Sequence, residues 1–272
     1  MSDKYRPILD ALREGIPVLT VNRRLGRYLL RRYERGKIEA GLRTWDTPLV
    51  MPFSVWLRTL YRESWPEKPL LGEAASGALF KKIISRDSSL RGLGVTAPGG
   101  LARTACKAYK LLRRYKLRLP ADETYLTEEA RAFKGWLGSY EKDLRRLGVV
   151  DDESLMEEVS GLLGKGALTL PARVVLAGFD EITPAMESVL ASLVGAGCGA
   201  SFWPCKPGAQ DHLELAETGA PEIREYPDMA GEVRAAARWT RTQVEEGRRT
   251  GIIVPELEKY RDLIVNEFSA EL

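Results

Sequence analysis

The stretch from Arg173 to Leu193 constrains this chain most. Val174-Val175-Leu176-Ala177-Gly178-Phe179 is a short apolar run bounded by turn residues, the pattern of a strand buried on both faces. After Asp180-Glu181-Ile182, Thr183 is placed as an N-cap and Pro184 at the first position of a helix carrying Met186, Val189, Leu190 and Leu193. A buried strand feeding a helix is a unit of an α/β sheet. Such sheets bind ligands beyond the carboxyl ends of their strands, which is where Gly178, Asp180 and Glu181 fall.

The rest of the chain is read around that unit. Asp3 to Glu14 sets Tyr5, Ile8, Leu9 and Leu12 at helical spacing, Gly15 ends the helix, and Ile16 to Val21 reads as a strand. Asn22 is the N-cap of a long helix with Leu25, Tyr28, Leu29 and Tyr33 on its apolar face and Arg24, Arg27, Arg31 and Arg35 on another. Pro48 to Met51 gives a second short strand, and Pro52-Phe53-Ser54 leads into a helix with Val55, Trp56, Leu57, Leu60 and Tyr61. From Trp65 to about Gly166 helical periods replace strand signals. Within that span one helix starts at Pro98-Gly99-Gly100 and ends at Pro120. It carries Leu101, Ala105, Ala108, Leu112 and Tyr115 opposite Arg103, Lys107, Lys110 and Arg114. A second has Phe133, Trp136, Leu137, Tyr140 and Leu144, and a short third runs from Ser154 to Leu163.

Ala200 to Trp203 reads as a strand, and Pro204 to Pro221 as a linker. Glu222 to Tyr226 and Gly251 to Val254 read as further strands, followed by helices over Gly231 to Glu246 and Leu257 to Phe268. The pattern predicts an α/β core from residues 1–69 and 167–206, interrupted by a helical insertion at 70–166. Residues 207–272 would begin a second α/β domain, and an end at Leu272 just after a β-α unit reads as a truncation.

Several chemistries lack their residues. There is no G-x-x-x-x-G-K-[ST] phosphate loop and no G-x-S-x-G elbow, and the one histidine, His212, lies in the linker. Cys106, Cys198 and Cys205 have no metal-ligand spacing, so neither a disulfide framework nor a metal or cofactor is expected. The start lacks a signal sequence and no stretch has the ~20 apolar residues of a membrane span, which predicts a soluble cytoplasmic protein without a membrane partner. Asp180 and Glu181 could serve as a magnesium-binding pair, but they also suit the favourable field of a helix N-terminus, the reading preferred here. Asp151-Asp152 lacks the nearby lysine of a nuclease cluster and reads as a loop. Trp56, Trp65 and Trp136 are assigned to core rather than to base stacking.

Charge supplies the positive signal. Residues 1–120 hold 25 Lys/Arg against 10 Asp/Glu, and the remainder holds 16 against 28, so a small net charge of +3 hides a basic and an acidic part. The two basic helical stripes suit a polyanion.

The order of motifs resembles superfamily 1 helicases. Val18-Leu19-Thr20-Val21-Asn22-Arg23-Arg24-Leu25-Gly26-Arg27 looks like motif Ia, and Leu49 to Ser54 stands at motif Ib. Tyr140 to Leu155, with Gly148, Val149 and Asp151, is similar to the close of the helical 1B insertion. Val174 to Leu193 resembles the degenerate motif II of the AddB and RecC branch, with Ala177 at the usual aspartate position. Tyr226 through Trp239 to Pro255 looks like the run near motif IV.

The resemblance implies an AddB-like DNA repair protein whose helicase-like part has a P-loop-NTPase-like sheet of the 1A type, no longer hydrolyses ATP, and precedes a PD-(D/E)XK exonuclease. This part would not be catalytic. It implies single-stranded or end-containing DNA as ligand, an AddA-like helicase-nuclease subunit as partner, and a role in recombination. The contacts it points to are Thr20, Asn22, Arg23, Arg24 and Arg27, with Arg103, Lys107, Lys110 and Arg114 as a second set, while Ala177, Asp180 and Glu181 form the degenerate motif II. The alternative is a protein-interaction scaffold whose basic part docks an acidic partner without touching DNA.

Overall fold

Side-chain alternation along two central strands sets up the layers. Val18, Val175 and Ala177 point to one face and Leu19, Val174 and Leu176 to the other, and all six are buried. Burial on both sides is what the unbroken apolar run at Val174 to Ala177 required. Truncating Leu19 or Leu176 to alanine in such a position costs about 2–5 kcal/mol.

The computed structural model describes residues 5–87, 98–124, 126–204 and 222–272. The elements begin with α1 (Arg6–Arg13), β1 (Val18–Thr20), α2 (Arg23–Glu39), β2 (Val50–Pro52), α3 (Phe53–Glu63), β3 (Leu70–Leu71), α4 (Glu73–Ser85) and α5 (Pro98–Arg114). They continue with α6 (Glu128–Leu147), β4 (Val150–Asp151), α7 (Leu155–Gly164), β5 (Arg173–Ala177), α8 (Pro184–Gly195), β6 (Gly199–Trp203), α9 (Met229–Glu245) and α10 (Leu257–Glu271). The chain divides into two units, Met1–Asp211 and His212–Leu272.

In the first unit β2, β1, β5 and β6 form, in that order, a four-stranded parallel sheet. The fold is α/β. α1 and α2 cover one face through Ile8, Leu12, Leu29 and Tyr33, and α3, α7 and α8 cover the other through Trp56, Leu57, Val159, Val189 and Leu193. Thr183 stands at the N-cap of α8 and Pro184 opens the helix as the sequence predicted, but the Thr183 hydroxyl does not bond the first turn.

The helical segment divides by packing. α4, α5 and α6 have a cluster of their own around Phe80, Ala105, Tyr109, Trp136 and Tyr140, whereas α7 packs on the sheet with α3 and α8. β3 and β4, which the periodicity did not reveal, pair in parallel over two residues each, at the two ends of that three-helix cluster. Asp151 at the end of β4 is fully enclosed and accepts from the Tyr140 hydroxyl at 2.9 Å and the Ser154 N–H at 2.9 Å. Its neighbour Asp152 takes both arms of Arg58, at 2.9 and 2.7 Å. Both aspartates are therefore structural, and they belong to a strand end rather than a loop between helices. Burial raises the phenols of Tyr109 and Tyr140 above the usual tyrosine value.

α5 differs from its sequence reading in two ways. Of the expected stripe Leu101, Ala105, Ala108, Leu112 and Tyr115, only Ala105 is buried and the others are half-buried, because the buried face is rotated towards Ala102 and Tyr109. The helix also ends at Arg114, not at Pro120. Lys116 adopts a left-handed φ of 52° and Leu117 N–H returns to the Leu112 carbonyl at 2.9 Å, closing the helix without a glycine.

The second unit corrects a prediction. Glu222 to Tyr226 and Gly251 to Val254 are not strands, and neither run pairs with another among the described residues. Ile223 and Ile253 are each 93% exposed, because an extended run has nothing to bury its alternating side chains against without a partner strand. The described part of this unit is instead a pair of helices, joined by Arg234 to Glu267 and by Arg238 and Arg241 to Glu271. The linker from Cys205 to Pro221, with His212, lies outside the described residues.

Candidate nucleic-acid interface

β1 and β5 are neighbours, yet the helices that follow them go to opposite faces, α2 with α1 and α8 with α3 and α7. The chain diverges at these two strand ends, the position at which open α/β sheets accept ligands. Val21 N–H donates to the Ala177 carbonyl at 3.1 Å and Gly178 N–H to the Trp203 carbonyl at 2.9 Å, extending the ladder by one residue on each strand. Gly178 has φ +74°, and a Cβ there would lie 2.5 Å from Leu25 Cδ2. Only glycine allows the first turn of α2 to seat against the end of β5.

β1 passes into α2 through Val21 and Asn22 alone. Asn22 Oδ1 accepts from the Leu25 N–H at 3.0 Å, the N-cap expected from the sequence. The Thr20 hydroxyl donates to the Asn22 carbonyl at 2.8 Å, and Thr20 is fully buried. Gly26 faces it so closely that a Cβ would stand 3.3 Å from Thr20 Oγ1. Thr20, expected as a contact, thus braces the turn from inside and has no surface to offer a ligand. A two-residue turn also has no room for a glycine-rich nest around phosphates.

The arginines of α2 are placed differently. Arg23, Arg24, Arg27, Arg31 and Arg35 are all exposed, and none forms an ion pair among the described residues. Arg24 to Arg35 make a stripe ~16 Å long that starts beside the ends of β1 and β5. Tyr28, assigned by spacing to the apolar face, is 43% exposed and lies within about 60° of Arg24, Arg31 and Arg35 around the helix. Arg32 Nη1 donates to the Tyr28 hydroxyl at 3.1 Å. Both residues were missed as surface candidates, although the same periodicity that marked the arginines could have found them.

Half of the second basic stripe is engaged. Lys110 and Arg114 converge on Glu153, at 3.5 and 3.7 Å, and Arg113 pairs with Glu157 at 2.5 Å. Glu153 is pushed above the usual glutamate value by burial, while Lys110 and Arg114 pull it back. Arg103 and Lys107 are exposed and meet no carboxylate among the described residues. Lys110, Arg113 and Arg114 thus tie the end of α5 to the start of α7 and the residues just before it.

Ala177, expected from the resemblance to mark a degenerate motif II, is fully buried, and its carbonyl accepts from the Val21 N–H. Asp180 is exposed, and Glu181 accepts from the Tyr115 hydroxyl at 2.6 Å, which raises that phenol. Among the described residues no three His, Cys, Asp or Glu side chains are grouped to hold a metal, and no helix is long and apolar enough to cross a membrane. Burial raises the thiols of Cys106 and Cys198, both free. Trp56 and Trp136 are buried as assigned, but Trp65 is 92% exposed at the left-handed residue that closes α3. No family model matches the chain, and no curated protein matches it significantly.

Proposed function

We propose that the α/β unit is an AddB-like, helicase-like module that holds single-stranded DNA without hydrolysing ATP. The observation that carries this reading is the arginine stripe of α2, which forms no ion pair among the described residues and begins at the divergence of β1 and β5. Free N–H groups of a first helical turn and the guanidinium groups of Arg23 and Arg24 can converge on one phosphate there. Like charges three or four residues apart, such as Arg27 with Arg31 and Arg31 with Arg35, destabilise a helix by about 0.2–0.5 kcal/mol each. A polyanion would relieve that repulsion. The direct step from Val21 to Asn22 into α2, the inert Ala177 and the occupied Glu181 support a site without nucleotide chemistry. A P-loop-like ancestry, a nuclease elsewhere in the protein and an AddA-like subunit belong to the same reading, on the resemblance alone.

The test is anisotropy of a labelled single-stranded oligonucleotide at several salt concentrations. Binding is expected to weaken by about 0.7 log units per phosphate contact for each log unit of salt, and Arg23→Ala with Arg24→Ala to flatten that slope by about one or more. No binding at low salt, together with capture of an acidic protein by the same face, would establish the scaffold in its place. Micromolar ATP binding abolished by Asp180→Ala would restore a motor.

A further inference from the structure

We infer that a cavity between the end of α5, α7 and the start of α8 is a binding site for a small phosphate monoester. α7 and α8 cover the sheet face opposite α2, so this site is separate from the arginine stripe and does not rest on the DNA reading. The cavity measures about 330 Å³, at the lower end of the range for small-molecule pockets.

Its charge is one-sided once existing pairs are set aside. Glu153 and Glu157 line it, but Glu153 is met by Lys110 and Arg114, and Glu157 by Arg113. Lys116 and Arg118 also line it and form no ion pair among the described residues. Two cations without a carboxylate match a phosphate monoester, which carries about −1.5 to −2 at pH 7, better than a carboxylate or a phosphodiester with a single charge. The first turn of α8 has no side-chain cap and brings Ala185 to the wall, so the positive end of that helix favours an anion as well. Leu112, Leu117 and Met156 give an apolar wall for the body of the ligand.

Two further observations point to a ligand rather than to packing. Lys116 holds a left-handed φ of 52° where α5 closes, a conformation that glycine adopts without strain. A lysine there places its amine instead: Nζ donates to the Ser188 hydroxyl at 2.5 Å, on the cavity wall, and keeps two of its three hydrogens for another acceptor. The second observation is Ser160, also of the wall, whose hydroxyl is the one buried side-chain polar atom among the described residues with no hydrogen-bond partner. Such a group is costly to leave unpaired, and a ligand oxygen is a partner that the fold does not supply.

Titration calorimetry with phenyl phosphate, benzoate and inorganic phosphate tests the site. The wild type should bind phenyl phosphate roughly 10-fold or more tightly than benzoate, which keeps the ring with one charge, and than inorganic phosphate, which keeps the charge without a ring. Lys116→Gly and Arg118→Ala should each weaken phenyl phosphate by about 10-fold or more, and Ser160→Ala by about 2- to 10-fold. Lys116→Gly should leave the melting temperature unchanged or raise it, because glycine suits the backbone there. A 5′-phosphorylated oligo-dT that displaces phenyl phosphate where the 5′-hydroxyl strand does not would put the monoester on a strand end, and displacement by neither strand would make it a free small molecule. Displacement by both strands alike would overturn the preference for a monoester. So would benzoate binding as tightly as phenyl phosphate. No binding of phenyl phosphate, or a melting temperature lowered by Lys116→Gly with affinity unchanged in Arg118→Ala, would reduce Lys116 to a tie between α5 and α8 and remove the site.

Discussion

Two helices, α2 and α5, are each 17 residues long and each carry a basic stripe at helical spacing, but their charges have different fates. Arg23, Arg24, Arg27, Arg31 and Arg35 of α2 are exposed and form no ion pair among the described residues, whereas Lys110, Arg113 and Arg114 of α5 meet Glu153 and Glu157. Those acids lie about 40 positions further along the chain, on and just before α7. Nothing in the spacing of either helix distinguishes them. A one-signed stripe says that a helix needs negative charge nearby; whether the fold or a ligand supplies it is decided by tertiary contacts.

The contrast can be broken most directly by removing charge from each helix in turn. Arg24→Ala, Arg31→Ala and Arg35→Ala together should lower single-strand affinity about 10- to 100-fold at low salt and flatten the log–log salt slope by about two. Stability should stay within about 0.5 kcal/mol, since these are surface changes. Lys110→Ala with Arg114→Ala should change affinity less than about threefold and instead lower the melting temperature. Equal losses of affinity in the two variants would mean that the stripes do the same work.

Glu153→Gln sharpens the comparison from the other side. It frees Lys110 and Arg114, so affinity for a single strand should rise about two- to fivefold at low salt. The same variant carries a pH signature. Burial raises Glu153 above the ordinary glutamate value of 4.5, so the folded protein holds this proton more firmly than the unfolded chain does. Stability from this group is complete below 4.5 and is lost as pH rises through the raised value. Against Glu153→Gln, which cannot titrate, the wild type should lose stability from about pH 4.5 upwards, read as urea midpoints at each pH.

The smallest effect expected is that of Asn22→Ala. Loss of the cap to Leu25 N–H should cost about 1 kcal/mol and change the affinity of neither stripe by more than about twofold. A larger fall in affinity would make Asn22 a contact in its own right.

What could be read from the sequence was local and periodic. The strand through Val174 to Ala177, the Asn22 cap and the helix around Trp56, Leu57 and Leu60 each declare themselves within a few residues. The end of α5 at Lys116 did not, because a lysine in the left-handed conformation has no glycine to announce it. Arg58 with Asp152, and Tyr115 with Glu181, join positions 94 and 66 residues apart, beyond the reach of any spacing rule. The supposed strands near Ile223 and Ile253 failed for the opposite reason, since a local pattern cannot guarantee a partner strand. At the site, the arginines of α2 were legible as a stripe. The burial of Thr20 depended on how α2 is rotated against the sheet.

That rotation has a hereditary consequence. Position 26 can lack a side chain because Thr20 occupies the space, and Thr20 can be a threonine because position 26 is empty. Relatives of this chain should keep threonine and glycine together or lose them together: alanine at both sites regains a methyl contact but gives up the hydrogen bond to the Asn22 carbonyl. The arginines answer only to charge and are free to drift to lysine or to shift by a helical turn. Descent should therefore be traced more surely through the silent pair at 20 and 26 than through the charges that α2 displays.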